Sequence, residues 1–101
     1  MAETTRTIGE FFVEVAGKPT PERSAARANE EMAELIRGLS EGNHIALEIE
    51  EAADVVIVLS HMAHVNGLDL WAEVEKKMEK NRARTWAKDG SGCAYHVKET
   101  E

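Results

Sequence analysis

From Ala52 to Met62 the chain turns apolar side chains in almost every direction: Ala52, Ala53, Val55, Val56, Ile57, Val58, Leu59 and Met62 leave only Asp54, Ser60, His61 as polar members. The β-branched residues alone would suit a strand. The run, however, sits inside a long envelope that Asn43 can cap and Asn66-Gly67 can end, and it is approached through Glu/Ala-rich sequence, so a helix to Val65 is expected. A helix apolar on all sides has to be covered on all sides. A chain of 101 residues, one domain at most, has too few other helices for that, which predicts a homodimer or larger assembly whose interface uses this helix.

The rest of the chain reads as three further helices. Thr7 and Glu10 have capping-box spacing, and Ile8, Phe11, Phe12 and Val15 recur at helical intervals before Gly17. Lys18-Pro19-Thr20-Pro21 breaks that helix and opens the next, with Thr20 as cap and Pro21 at the first helical position. The second helix is expected from Pro21 to Leu39, with an apolar ridge of Ala25, Ala28, Met32, Leu35, Ile36 and Leu39. Ser40-Glu41-Gly42-Asn43 then makes a short connection, so the second and third helices form an antiparallel hairpin. Asp69 caps a fourth helix from Leu70 to about Thr85. Beyond it, Asp89-Gly90-Ser91-Gly92 is a turn within an irregular tail covering 87–101.

Composition narrows the function classes. A net charge of −7 argues against a nucleic acid polymer or an anionic membrane as partner. The single cysteine, Cys93, excludes an intramolecular disulfide framework and fits a reducing, cytoplasmic setting. The longest apolar run, Val55 to Leu59, is far short of a membrane span.

Where the acids fall is more informative than their sum. Glu31 and Glu34, and likewise Glu51 and Asp54, are three residues apart, so each pair shares a helix face bordering the apolar stripe. In the predicted hairpin, residues 31 and 54 are level with each other, as are 34 and 51. Four carboxylates then meet across one slice, where desolvation and mutual repulsion are costly unless a cation offsets them. An all-oxygen set without His or Cys suits Mg²⁺, with Mn²⁺ as the second choice. The plainer reading is a set of solvated acids paired with basic residues. The second helix offers Arg27 and Arg37 for this, but the third has no Lys or Arg. On the fourth helix, Lys77, Asn81 and Arg84 share a ridge with Leu70 and Val74. They are suited to phosphate oxygens, or simply to the negative end of the helix dipole.

Glu30-Glu31-Met32-Ala33-Glu34, followed by Glu51-Ala52-Ala53-Asp54, resembles the EExxE…ExxD signature of the MazG-like, all-α nucleoside triphosphate pyrophosphohydrolases. Gly67-Leu68-Asp69-Leu70 and the run from Lys77 to Arg84 resemble that family's last core helix, so the likeness covers about residues 8–86. The resemblance implies an all-α, four-helix bundle with a metal-binding helix hairpin, completed by oligomerisation. It implies Mg²⁺-dependent cleavage of the α–β phosphate bond of NTPs or dNTPs to monophosphate and pyrophosphate. Glu31, Glu34, Glu51 and Asp54 would hold metal, Glu30 would orient or deprotonate the attacking water, and Lys77, Asn81 and Arg84 would bind phosphates.

Recognition of the base is less defined. Trp86, just after Arg84, is the aromatic candidate for stacking, while Phe11 and Phe12 are expected in the core. Trp71 suits either core or interface. His61 shares the ridge of Asp54 and is expected to be packed and hydrogen-bonded, with lining the pocket as its other role. The competing class is a non-catalytic helical oligomer that binds a divalent ion or nucleotide for assembly or sensing. The intact set of five acids favours an enzyme.

Overall fold

The computed structural model describes residues 2–98. Four helices, α1 (Thr5–Ala16), α2 (Pro21–Ser40), α3 (Ile45–Val65) and α4 (Leu70–Ala83), precede two short strands, β1 (Trp86–Lys88) and β2 (Ala94–His96). The chain divides into two compact units, Met1–Trp71 and Ala72–Glu101.

In the first unit α3 is the central element, with α2 and α1 packed against it. The ends of α2 follow the sequence closely: the Thr20 hydroxyl accepts from the Arg23 N–H and Pro21 takes the first helical position. The start of α1 is one turn earlier than expected. Thr4 is the N-cap, and Thr7 supplies the reciprocal side chain of the capping box, a part expected of Glu10. Glu10 instead pairs with Arg6 on the exposed surface. Gly17 ends α1 with φ +89°, a conformation that L side chains rarely adopt.

The cap of α3 also differs. His44 Nδ1 accepts the Ala46 N–H, whereas the Asn43 amide donates to the buried Glu48 carboxylate at 2.9 Å. A buried acid left without a donor costs more than a change of capping residue, so Asn43 is drawn away from the helix end. Glu48 in turn lies against Gly38, where any Cβ would overlap its carboxylate; glycine allows α2 and α3 to approach closely beside the turn. Gly9 has the same role between α1 and α3, facing the base of the His64 side chain.

Among the described residues the buried apolar ones are few, Ala28 and Ala63, and several buried positions are polar: Thr5, Ser24, Glu31, Glu48, Ser60 and His61. Of the ridge expected on α2, Ala28 is buried and Leu35 half-buried, but Met32, Ile36 and Leu39 are exposed. On α3, Ile45, Leu47, Ile49 and Val56 are exposed as well. One copy of the chain does not cover its own apolar surface.

The second unit contains most of α4 and the hairpin. Arg84 lies just beyond the helix, which stops at Ala83, short of the expected Thr85. An antiparallel ladder pairs Trp86 with His96, Ala87 with Tyr95 and Lys88 with Ala94, so an ordered hairpin replaces part of the irregular tail. The Asp89-to-Cys93 turn closes it, and Asp89 holds the Ser91 N–H at 2.8 Å. Strands of three residues are too short for an alternation signal, which is why the sequence shows only their turn.

Candidate metal centre and adjoining cleft

The α2–α3 hairpin brings three carboxylates together. One oxygen each from Glu31, Glu51 and Asp54 lies within 4.8 Å of the others. Glu31 is buried, Glu51 half-buried and Asp54 exposed, so the group opens toward solvent on the Asp54 side. The level pairing of residues 31 and 54 is therefore realised. Glu34 stands outside this trio but lies beside Glu51. Burial first, then hydrogen bonding to Glu31 and the charge of Glu34, push the Glu51 carboxyl above the usual glutamate range.

Two observations bear on whether the trio could hold a cation. The Glu51 Oε2 atom is shielded from solvent with no hydrogen-bond partner, a cost that native proteins rarely leave uncompensated. The donors are all carboxylate oxygens, which suit a hard divalent ion. The charge compensation visible in the chain comes from Arg27, whose guanidinium lies 2.8 Å from Glu31 and 3.0 Å from Glu30. The plainer expectation of basic partners is thus met at Glu30 and Glu31. Glu51 and Asp54 have no ion-pair partner among the described residues.

A cleft of about 600 Å³ adjoins the acids. Its lining combines the acids Glu30, Glu31 and Asp54 with Arg23 and Arg27, the apolar Phe12, Pro19, Ile57 and Val58, and His61. His61 is buried, and its Nε2 is 2.9 Å from the Gly17 carbonyl oxygen, which fixes the ring 5.8 Å from that of Phe12. Both roles considered for His61 hold together: it is packed and hydrogen-bonded, and it lines the cleft. Phe12 has moved from the expected core to the cleft wall and is half-buried. Arg23 and Pro19 had no signal in the sequence beyond their places near the start of α2. The i, i+4 spacing of Arg23, Arg27 and Glu31 would have placed all three on one helix face.

The remaining expected site residues lie in the second unit. Asn81 is half-buried, its Oδ1 has no hydrogen-bond partner and its Nδ2 faces the Met78 sulfur at 3.7 Å. Arg84 is half-buried and Lys77 exposed. The Trp86 indole donates from Nε1 to the Asn81 carbonyl at 2.7 Å and lies 6.0 Å from the His96 ring, with part of its surface open to solvent. Trp86 is thus held by the end of α4 as well as by its hairpin partner His96.

No protein-family model matches the chain. Over 98 residues the chain is 33% identical to a dATP/dGTP diphosphohydrolase of cyanophage S-2L, covering 90% of the chain and 89% of the relative. Among solved structures it is similar to the cyanophage S-2L MazG-like pyrophosphohydrolase bound to dGDP and three catalytic Mn²⁺ ions per active site. That match has a TM-score of 0.70 and 28% identity, and covers 93% of each chain.

Proposed function

The chain belongs to the MazG-like family of all-α pyrophosphohydrolases, and from that premise we propose that it hydrolyses the α–β phosphate bond of nucleoside triphosphates to monophosphate and pyrophosphate with Mg²⁺ as its cation. The observation that carries the reading is the carboxylate trio of Glu31, Glu51 and Asp54, two of whose members, Glu31 and Asp54, line a cleft of about 600 Å³. Purine deoxynucleoside triphosphates are the first substrates to try, because the relative is named for dATP and dGTP. The enzyme reading gains over a binding module because Glu30, which is not needed to hold the ion, faces the same cleft.

Glu31, Glu51 and Asp54, joined by Glu34 beside Glu51, would hold the divalent ion. When bound, the ion supplies positive charge that acidifies water and draws charge from the phosphate oxygens. The chain's own residues do the positioning. Glu30 lines the cleft, and its carboxylate would orient the attacking water and receive its proton. Phe12, Val58 and His61 give the nucleoside an apolar wall with a ring pair. Lys77, Asn81 and Arg84, by their shared ridge and by the family resemblance, would supply cationic and amide donors for phosphate oxygens, and Trp86, by its place just after Arg84, a base contact.

The exposed Met32, Ile36 and Leu39 on α2 and Ile45, Leu47 and Ile49 on α3 support assembly as a homodimer or homotetramer. No helix among the described residues is long and apolar enough to cross a membrane. The exposed thiol of Cys93 suits the reducing cytoplasm as the working compartment.

The test is a panel of NTPs and dNTPs with Mg²⁺, with the products resolved by ion-exchange chromatography. Monophosphate plus pyrophosphate is expected. Diphosphate plus inorganic phosphate would place the cut at the wrong bond, and the absence of turnover with every nucleotide would favour a binding module.

A further inference from the structure

All the ion pairs that reach the signature acids among the described residues come from one side chain, Arg27. Its fork spans two consecutive acids, Glu30 at 3.0 Å and Glu31 at 2.8 Å. Pairs at these spacings are common on helix surfaces and contribute little there. This one differs because the Glu31 side chain is only 7% exposed and belongs to the carboxylate trio. The Arg27 side chain itself is 59% exposed and lines the cleft one helical turn from Arg23. It therefore has room to leave the acids without leaving the site.

A cation held by the trio would bear its charge on the same Glu31 carboxylate. Two positive groups on one carboxylate repel each other, so the guanidinium's hold on Glu31 weakens as the cation binds. Turned toward the cleft, the same five N–H donors face the place where a nucleotide would bring its phosphates, and guanidinium binds phosphate in a two-pronged geometry. We propose that Arg27 is an exchangeable counterion: it neutralises Glu30 and Glu31 until a divalent cation occupies the trio, and then transfers to the phosphate chain of the nucleotide. Cation and nucleotide thereby load in a favoured order, cation first, because each step frees the group the next one uses. The inference rests on the proposed metal and nucleotide site. It adds a residue outside the five-acid signature and assigns it opposite effects on the two ligands.

Those opposite signs make it testable. Arg27→Gln and Arg27→Lys are titrated calorimetrically, first with Mn²⁺ alone and then, at saturating Mn²⁺, with α,β-imido-dATP, which resists cleavage at the α–β bond. Circular dichroism confirms that each variant is folded, as expected for an exposed position. For Arg27→Gln, Mn²⁺ binding is expected to tighten and nucleotide binding to weaken, each by about three- to tenfold. Arg27→Lys falls between wild type and Arg27→Gln, since an ammonium keeps the charge but not the fork. Mn²⁺ affinity in Arg27→Gln equal to or weaker than wild type overturns the counterion role. Unchanged nucleotide affinity overturns the transfer. Wild-type protein that takes up no Mn²⁺ at all refutes the metal site itself, a result distinct from either.

Discussion

Gly9 is a position where two simple rules give opposite signs, and the structure decides between them. In the middle of α1, replacing glycine with alanine should stabilise the helix by about 1 kcal/mol through propensity. A Cβ at Gly9, however, would overlap Cβ, Cγ and Cδ2 of His64 on α3. The Cβ of His64 is fixed to its backbone, so the clash cannot be relieved by a rotamer change and the helices must separate by about 1 Å or more. Overpacking of this kind costs about 1–3 kcal/mol, and the gap opened along the rest of the α1–α3 contact takes it toward the upper end. The net expectation for Gly9→Ala is a loss of about 1–2 kcal/mol, or roughly 5–15 °C in Tm for a chain of this size. Differential scanning calorimetry measures it, and the loss should be smaller in a His64→Ala background, where Cγ and Cδ2 are gone. Phe12, three residues along α1, walls the cleft, so the same displacement should raise KM for the nucleotide while leaving Mn²⁺ uptake intact. A Tm for Gly9→Ala equal to or above wild type would refute the packing argument.

Three further outcomes can be measured. Glu34→Gln and Asp54→Asn should each lower turnover by more than about 100-fold, given that even outer partners of a metal site cost that order, with the circular dichroism spectrum unchanged; wild-type activity in either would remove that acid from the site. Because the Glu51 carboxyl is raised in the folded state, the folded protein in chelator binds more protons than the unfolded chain between the ordinary glutamate value and the raised one. Stability should therefore fall as pH rises through that window, and Glu51→Gln should flatten the Tm–pH profile; equal slopes for both proteins would contradict it. His61→Leu leaves the Gly17 carbonyl without its side-chain partner and should cost about 1–2 kcal/mol in urea unfolding, whereas an unchanged midpoint would show that the hydrogen bond adds nothing.

Much of the first unit was legible because its signals are redundant. In α2 the Thr20-Pro21 start, the apolar spacing and the short connection all favour one hairpin, and that hairpin fixes the level of Glu31 with Asp54. Helix caps were less legible because they are settled by tertiary competition. Asn43 has the chemistry of a cap, but Glu48 claims its amide. Thr7 likewise serves the box that Thr4 begins. Glu34 has the right spacing for the trio yet stands beside Glu51, because helical spacing selects a face and not the direction of a carboxylate. The helical spacing of Phe12 fits a core residue, but periodicity cannot distinguish a core from the apolar wall of a cleft. The hairpin after α4 depends on pairing between two segments, each too short to be recognised alone.

Thr5 is almost fully buried, and its hydroxyl joins parts of the chain that are far apart in sequence, donating to Asp69 Oδ1 at 3.2 Å and accepting the Leu70 N–H at 3.1 Å. The first turn of the earliest helix thus helps to start the last one. During synthesis α1 is made early but keeps this donor and acceptor waiting until residue 70 has emerged, so the joint closes late and over a long loop. Trimming the chain past Thr5 would remove few atoms from α1 and yet expose an unmet N–H at the opening of α4. The N-terminal residues are in this sense a fastening, and their loss should first be seen as fraying at a helix more than sixty residues away.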